Sequence, residues 1–294
     1  MLLNDYLREE FGEKVYKISF DIGAGCPNRD GRYSFGGCAF CSEKASGDFA
    51  EILTENNFDE GVERAIGRIR SKTDCNKFIA YFQSHTNTYF TKDFTRESFE
   101  NLCKRFADRN DIVAISIGTR ADSVDDETIL FLQNLNQIKP VWVEIGLQTI
   151  HDETRERMNC CFTLADFDNT FRKLKDAGLK TVVHIILGLP GESISMMDET
   201  ADYLSKLKPF GIKIQMLHIL KGTILSRTFD EEKFHILSME EYTDEVVKII
   251  GKMPPDTVIH RMTGDGDREL LTAPDWSKDK KRVLNMINRK LRDV

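Results

Sequence analysis

Short apolar runs alternate with amphipathic segments along most of this 294-residue chain. One run, DTVIHRM, predicts a short last strand, and six earlier runs predict the main strands: VYKISFDI, KFIAYFQ, DIVAISIGT, VWVEIGLQ, TVVHIILGLPG and IKIQMLHIL. The segments between them predict helices, because their apolar residues recur at helical spacing. Regular alternation of this kind produces parallel strands joined by right-handed crossovers. The sequence therefore predicts an α/β fold, a partial (β/α)6 TIM-like barrel with N- and C-terminal extensions.

The length of the chain suits one large barrel with appendages. We expect the barrel and its N-terminal extension to occupy residues 1–260, followed by a C-terminal extension, residues 261–294, whose basic helix packs on the barrel. Four apolar residues of that helix recur at helical spacing and would face inward: Val283, Leu284, Ile287 and Leu291. No apolar run reaches the roughly 18 to 20 residues that cross a bilayer, so we expect no membrane helix.

The net charge of −7 argues against a protein covered with phosphate-binding surface. Residues 277–294 differ from the rest, because they hold seven Lys or Arg against two Asp. This basic tail could guide a polyanion to one face, or it could be the solvated side of a surface helix. The acidic N-terminal segment does not resemble a signal peptide, and the seven cysteines show no disulfide pattern. We therefore expect a protein of the reduced cytoplasm.

Three cysteines follow the first predicted strand at the spacing Cys-x11-Cys-x2-Cys: Cys26, Cys38 and Cys41. A structural zinc site would normally have a fourth ligand close by, but the next cysteine is Cys75 and the first histidine is His85. Three thiolates instead suit a [4Fe-4S] cluster with one iron open to a small molecule. Glycines before Cys26 and Cys38 would let the backbone wrap closely around such a group. The alternative is three unrelated thiols in a loop.

Polar and glycine-rich residues stand at the ends of the other predicted strands, the face where barrels of this kind collect active residues. Along the fourth strand, Glu144, Gly146 and Gln148 point to one side. A carboxylate inside a barrel needs a partner, such as a ribose diol. The other ends carry Gln83, Ser84, Thr86, Asn87 and Thr88, then Arg120 and Asp122, then the turn GLPGE, then His218 and Lys221. The charged pairs among them, Arg120 with Asp122 and His218 with Lys221, are our candidate catalytic residues.

Each of these features also has a purely structural explanation. Glu144 could pair with a core arginine, and Arg120 with Asp122 could be a salt bridge at the rim. GLPGE could be only a turn, while His184 and His218 could be satisfied core histidines. The grouping of polar strand ends around a three-thiolate loop favours a catalytic mouth over these separate explanations.

Taken in order, these strings resemble the radical S-adenosylmethionine (radical SAM) enzymes, and most closely their YhcC-like, Elp3-related group. The resemblance covers about residues 15–260 and is carried by the long cysteine loop and by YFQSHTNTY, GTRADS, EIGLQT, HIILGLPGE and LHILKGT, with IHRMTGDGDRELLTAPDW near the C-terminus. It implies a [4Fe-4S] cluster whose open iron binds the amino and carboxylate groups of S-adenosylmethionine (SAM). An injected electron then cleaves SAM to methionine and a 5′-deoxyadenosyl radical, which abstracts a substrate hydrogen.

The resemblance also implies roles for single residues. Cys26, Cys38 and Cys41 would be the metal ligands of the cluster. The residues implied to bind SAM are Phe40, Leu220 and Gly188 of GLPGE around the adenine, Gln83 and Ser84 at the amino group, Glu144 and Gln148 near the ribose, and His184 where the coproporphyrinogen oxidase branch has an acidic ribose ligand.

One string departs from the family pattern. Relatives usually follow the fourth strand with an Asn-Arg-Gly-His-like string whose arginine can hold the SAM carboxylate, whereas residues 159–162 of this chain read Asn-Cys-Cys-Phe. Arg155 and Arg157 lie one turn away and could substitute for the missing arginine. Alternatively, Cys160 and Cys161 could face an open pocket.

Kinship with the Elp3-related group implies action on the C5 side chain of a transfer RNA wobble uridine, of the type that converts carboxymethylaminomethyl to aminomethyl. The implied partners are SAM, transfer RNA and a flavodoxin- or ferredoxin-type electron donor. A small metabolite or tetrapyrrole-like substrate is the main alternative, because the body of the chain is acidic. An alternative of another class is a non-catalytic iron-sulfur electron carrier or sensor.

Overall fold

The computed structural model describes residues 1–43, 45, 50–264 and 266–292. The strands within this part of the chain are β1 (Val15–Asp21), β2 (Glu51–Ile52), β3 (Lys77–Phe82), β4 (Ile112–Thr119), β5 (Val141–Gln148), β6 (Lys180–Leu187), β7 (Gly211–Met216), β8 (Ile219–Leu220), β9 (Val258–Arg261) and β10 (Leu271–Ala273). Eight of these described strands form one all-parallel sheet in the order β2-β1-β3-β4-β5-β6-β7-β9. β8 and β10 form a separate antiparallel ribbon. The α/β fold class predicted from the alternation is confirmed.

From β2 onward, helices connect consecutive strands of the sheet, as the parallel arrangement requires, whereas β1 and β2 are joined by the segment that carries the three cysteines. Those in the described residues are α1 (Leu3–Phe11), α2 (Phe58–Arg70), α3 (Arg96–Ala107), α4 (Asp126–Asn136), α5 (Asp152–Arg157), α6 (Leu164–Asp176), α7 (Ile194–Leu207), α8 (Ile224–Glu231), α9 (Met239–Lys252) and α10 (Lys280–Lys290). Thr163 and Ser238 begin α6 and α9 with complete capping boxes, which satisfy backbone N–H groups that would otherwise lack partners. The α1 helix was not predicted from the sequence.

The two faces of the sheet differ in chemistry. On the outer face Phe20 and Phe82 pack against Phe106 of α3, with ring centroids 5.0 and 5.6 Å apart. Burying a side chain of this size contributes about 1.5–3 kcal/mol. Alternation in β1 turns Lys17 to the opposite face, where its ammonium group contacts Glu144 of β5. The outer face therefore forms the apolar core, and the inner face carries the polar residues of the barrel.

The sixth predicted strand, IKIQMLHIL, is interrupted in the structure. β7 ends at Met216, and the backbone N–H of Leu217 donates to the carbonyl oxygen of Leu187 at 3.0 Å. The chain then forms β8, which pairs with β10 and not with the main sheet. His218 lies in the break between the two strands, so a continuous strand is the wrong interpretation of this segment.

The C-terminal helix α10 packs on α9. Val283 and Ile287 are fully buried, while Leu284 and Leu291 are half-buried. Lys290 Nζ donates to Thr243 Oγ1 at 3.0 Å. The division into a barrel over residues 1–260 and an extension over residues 261–294 stays a prediction. None of the helices in the described ranges has the length and apolar character needed to cross a membrane.

Candidate active site

A cavity of about 250 Å³ opens at the carboxyl ends of the parallel strands. Its walls come from the loop after β1 and from the ends of β3 to β7, because parallel crossovers bring these ends to one face. Many of the residues that the sequence singled out line it: Cys26, Cys38, Phe40, Cys41, Gln83, Arg120, Glu144, Gln148, His184, His218 and Leu220. Residues far apart in the chain thus meet in one place.

The cysteine loop is held against the segment that follows α5. Asn28 is buried, and its side-chain amide donates to the carbonyl oxygens of Asn159 at 2.6 Å and Cys160 at 3.3 Å. In return, the Asn159 amide donates to the carbonyl oxygen of Gly37 at 2.8 Å. The Asn28 amide also lies 3.6 Å from Cys38 Sγ. Two asparagines therefore fix the cysteine loop to the segment that carries the Asn-Cys-Cys-Phe string.

The loop suits a bulky inorganic group. Cys26, Cys38 and Cys41 all line the cavity. Gly36 and Gly37 have φ angles of 81° and 85°, a conformation that favours glycine. Within the described ranges, no three Asp, Glu, His or Cys side chains form a site for a single metal ion. A [4Fe-4S] cluster is larger than one ion and is held by cysteine thiolates, so three thiols around one cavity fit such a cluster.

Glu144 is fully buried in the barrel and is bound from several sides. Its Oε1 accepts hydrogen bonds from Ser116 Oγ at 2.6 Å and from Lys17 Nζ. Its Oε2 accepts one from Lys213 Nζ and lies 2.8 Å from His184 Nε2. A buried carboxylate is costly without such partners. Glu144 is paired inside the core, as the structural alternative held, but its cationic partners are two lysines and not an arginine.

These contacts shift the pKa of each group. Burial alone would raise the pKa of Glu144, but Lys17 and Lys213 hold it well below its usual range. Burial lowers the pKa of His184 to about 4, with Lys213 acting in the same direction and Glu144 opposing. Burial also lowers the pKa of Lys213 to about 7. At neutral pH Glu144 is ionised and His184 is neutral, so Nε2 of His184 carries the proton and donates to the carboxylate.

Arg120 and Asp122 form the ion pair expected at the rim. Nε and Nη2 of Arg120 donate to the two carboxylate oxygens at 2.9 and 2.6 Å. Nη2 also donates to the carbonyl oxygen of Cys160 at 2.7 Å, and Nη1 lies 4.0 Å from Cys38 Sγ. Arg120 lines the cavity and Asp122 does not. Asp122 therefore orients the arginine beside the cysteine loop.

Besides Asp122, three predicted site residues lie outside the cavity lining. Ser84 is buried, and its hydroxyl has no hydrogen-bond partner among the described residues. Gly188 forms the turn after β6 with a φ of 82°, and an added Cβ would approach Leu237 at 3.2 Å. Lys221 is exposed, and its backbone N–H donates to the carbonyl oxygen of Leu270. Their roles in binding or catalysis stay predictions.

The two arginines considered as holders of the SAM carboxylate, Arg155 and Arg157, are occupied elsewhere. Arg155 is buried and donates to the carbonyl oxygens of Thr149, Phe162 and Thr163 at 3.0 to 3.2 Å. Arg157 donates to a backbone carbonyl of the GLPGE turn at 3.2 Å. Neither lines the cavity. Arg155 instead stabilises the loop that carries the Asn-Cys-Cys-Phe string.

The adjacent cysteines have different environments. Cys160 is 2% exposed and lines the cavity, whereas Cys161 is exposed on an adjoining groove. Hydrogen bonds with the thiols of Cys160 and Cys41 hold the pKa of Cys38 well below its usual range, although burial opposes them. The arginines among the described lining residues are Arg29 and Arg120.

Among the residues of the site that sequence reasoning missed are three cations. Arg29 lines the cavity and donates to the carbonyl oxygen of Ser42 at 2.5 Å. Lys17 and Lys213 are the ion-pair partners of Glu144. Both lysines interrupt apolar strands at positions that face the barrel interior, and that position was the available signal. Arg29 gave no such signal, because it lies in an irregular loop.

Comparison with known proteins agrees with this geometry. A sequence model described as the Radical SAM superfamily matches residues 21–204, and one described as the Radical_SAM C-terminal domain matches residues 209–293. YtqA of Bacillus subtilis is 40% identical over 98% of this chain and 88% of its own length. YhcC of Escherichia coli is 30% identical over 93% of this chain and 86% of its own length.

A solved structure of archaeal Elp3 from Methanocaldococcus infernus has the same fold. Its TM-score is 0.67 at 17% identity, over 94% of this chain and 63% of that one. This similarity confirms the predicted partial barrel. The family uses a [4Fe-4S] cluster and SAM, which together supply a 5′-deoxyadenosyl radical when bound. The family model covers most of this chain, and a 40% identical relative matches nearly its whole length. The cysteine loop of this chain also suits the cluster that the family uses. This chain is therefore an enzyme of the radical SAM superfamily.

Proposed function

We propose that this enzyme acts on the C5 side chain of a transfer RNA wobble uridine, in the type of step that converts carboxymethylaminomethyl to aminomethyl. A flavodoxin- or ferredoxin-type protein would supply the electron. The kinship with the Elp3-related group suggests this substrate. The observation that carries the proposal is the tip of the cysteine loop, residues 30–35, which presents exposed aromatic rings beside the cavity.

The loop tip combines aromatic and cationic side chains. Phe35 is 75% exposed and Tyr33 is 45% exposed. The Arg32 guanidinium lies over the rings of Tyr33 and Tyr89, 5.6 and 5.4 Å from their centroids. Tyr33 also lines a surface groove with Phe162, a residue that lines the cavity as well. Unstacked RNA bases bind to aromatic rings and arginine planes of this kind.

Basic residues at the start of α10 provide a second feature that suits RNA. The turn before α10, Asp275–Lys278, lies over the ends of β6 and β7, because Trp276 lines a small cavity there with Leu187 and Met216. Lys281 and Arg282 follow this turn and are exposed. Exposed charges that follow a turn over these strand ends could contact phosphates.

The direct test is mass spectrometry of modified nucleosides from cells that lack the gene. We expect the carboxymethylaminomethyl nucleoside to accumulate and the aminomethyl form to disappear. Wild-type protein should restore the normal profile, whereas Cys38→Ala should not, because the cluster would lose a ligand. An unchanged nucleoside profile in the deletion strain would contradict the proposal and favour a small metabolite as the substrate.

A binding assay tests the RNA contact separately. Phe35→Ala should weaken transfer RNA binding by about 1–3 kcal/mol if a base stacks on this ring. Reversing the charges of Lys280, Lys281 and Arg282 should lower both the affinity and its dependence on salt. Charge reversal at the exposed residues Arg172 and Lys175 of α6 is the control and should have little effect. Equal loss in both sets would indicate nonspecific attraction.

A further inference from the structure

A second cavity lies at the opposite end of the barrel, where the strands begin. The helix α1 covers this end and contributes Leu3 and Leu7, while the walls come from β1, β3, β7 and β9. Tyr81 and Gln83 line this lower cavity and also line the active-site cavity. The two cavities therefore share a wall inside the barrel.

The lower cavity has an unusual charge for an acidic protein. Five side chains that line it are basic: Arg8, Lys14, Lys17, Lys213 and Arg261. No aspartate or glutamate is among the described residues that line it. The chain as a whole carries a net charge of −7. Positive charge is therefore concentrated in this cavity, although the chain as a whole is acidic.

The cations are graded in depth. Arg8 and Lys14 are exposed at the entrance. The Lys17 side chain is 17% exposed, and the Lys213 side chain is 6% exposed. A cleft lined by one sign of charge focuses its electric field and raises the local concentration of oppositely charged ions. This arrangement would draw an anion from solvent towards the barrel interior.

The negative charge near the two inner lysines neutralises them only in part. Lys17 and Lys213 share the single carboxylate of Glu144. Burial lowers the pKa of both lysines, and the nearby charge of Arg261 lowers both further. His260 also lines the cavity, and neither of its buried ring nitrogens has a hydrogen-bond partner among the described residues. A bound anion would offset this excess charge and supply hydrogen-bond acceptors.

We propose that the lower cavity is a binding site for a small phosphate-bearing anion, with Arg8 and Lys14 at its entrance and Lys17 and Lys213 at its inner end. Its volume of about 330 Å³ suits an inorganic phosphate or a small phosphate ester. The site is separate from the SAM cavity and does not depend on the proposed RNA substrate. Glu144 lines the active-site cavity and is bound to both inner lysines. An anion in the lower cavity would therefore compete with Glu144 for Lys17 and Lys213.

The test is calorimetric titration of inorganic phosphate into the cluster-containing protein at low ionic strength. The obvious variant, Lys213→Met, would leave Glu144 short of a partner and could prevent folding. The double variant Arg8→Gln/Lys14→Gln changes only exposed residues and should weaken phosphate binding about five- to tenfold. The double variant Arg172→Gln/Lys175→Gln removes the same charge from the exposed face of α6 and should bind as the wild type does.

Glycerol phosphate in a parallel titration distinguishes the two sources of the anion. Tighter binding of the ester supports a phosphorylated metabolite, and tighter binding of the free ion supports inorganic phosphate. Absence of binding of both at millimolar concentration would overturn the proposal. Equal weakening by the two double variants would also overturn it, because it would show that only net charge matters. SAM cleavage and nucleoside profiles are measured independently, so their failure would not be confused with this result.

Discussion

Nε2 of His184 lies 2.8 Å from Oε2 of Glu144, and both side chains line the cavity at the carboxyl ends of the strands. The pair joins β6 to β5, and Lys17 and Lys213 extend it across the barrel. The wall of the proposed SAM site is therefore part of a buried charge network. A substitution in this network should change stability as well as function.

Glu144→Gln should be strongly destabilising. It would leave the ammonium groups of Lys17 and Lys213 buried without their carboxylate, a change that typically costs about 3–5 kcal/mol. Urea denaturation of the purified protein measures the loss. Glu127→Gln, whose side chain is 72% exposed, is the control and should stay within about 0.5 kcal/mol of the wild type. A similar loss from both changes would argue against a special role for the network.

Stability should fall as the pH is lowered from neutrality. The folded-state pKa of His184 is about 4, below the ordinary value of about 6.5. The unfolded chain therefore binds more protons between these values, so this contribution is complete above pH 6.5 and is lost as the pH falls through 4. The folded-state pKa of Glu144 is also lowered, so its contribution to stability is likewise lost as the pH falls below its unfolded-state pKa.

His184→Gln isolates this effect, because glutamine keeps a donor for Glu144 but does not titrate. Between pH 7 and 4.5 the wild type should lose about 2–3 kcal/mol more unfolding free energy than the variant. Denaturation curves at the two pH values measure this difference. Equal losses in the wild type and the variant would show that His184 keeps an ordinary pKa.

Arg120→Lys should weaken SAM binding without removing the cluster. Lysine cannot form the two-pronged contact with Asp122 that aims the guanidinium at the cavity beside Cys38. Arg120 is one of the two arginines among the described residues that line the cavity, and we expect it to hold the SAM carboxylate, so the dissociation constant should rise about tenfold or more. Equilibrium binding of SAM and the iron content of the same sample measure the two properties.

The chain contains a matched control for that substitution. Arg109 contacts Asp111 through Nε and Nη2 at 2.9 and 2.7 Å, the same two-pronged pair two residues apart, but near the start of β4. Arg109→Lys should leave SAM affinity unchanged. If it weakens SAM as much as Arg120→Lys does, the effect is one of general stability.

Cysteine substitutions should separate cluster ligands from the other thiols. Cys26→Ser and Cys41→Ser should lose most of the bound iron and the visible absorbance of the cluster, because thiolates are its ligands. Cys161→Ser, which changes an exposed thiol outside the cavity, should keep both. Iron and sulfide assays after reconstitution measure the result. Full cluster content in Cys41→Ser would remove that residue from the ligand set.

The main strands and most of the helices around them could be predicted because their own sequences specify them. Apolar runs such as VVHIILGL and helix starts such as Thr163 specify their elements with little help from distant contacts. The spacing of the three cysteines likewise predicts a shared site without reference to distant residues. The sequence did not predict where β7 ends. The residues that follow it form β8, which pairs with β10, more than fifty residues away in the chain.

The partners of the site residues were harder to predict than the residues themselves. Glu144 was recognised as a buried carboxylate, but its lysines come from strands far away in sequence, and only the closed barrel brings them together. Arg155 seemed available to bind SAM by its position, yet three backbone carbonyls take up its guanidinium. Side-chain hydrogen bonds of this kind are decided by tertiary structure.

The most direct test of the account is reductive cleavage of SAM by the reconstituted protein. With dithionite as the electron source, the wild type should yield 5′-deoxyadenosine and methionine, detected by liquid chromatography and mass spectrometry. Cys38→Ala should yield neither, while Cys161→Ser should match the wild type. A wild-type protein with a full cluster that fails to cleave SAM, even with substrate transfer RNA and candidate metabolites present, would contradict the account.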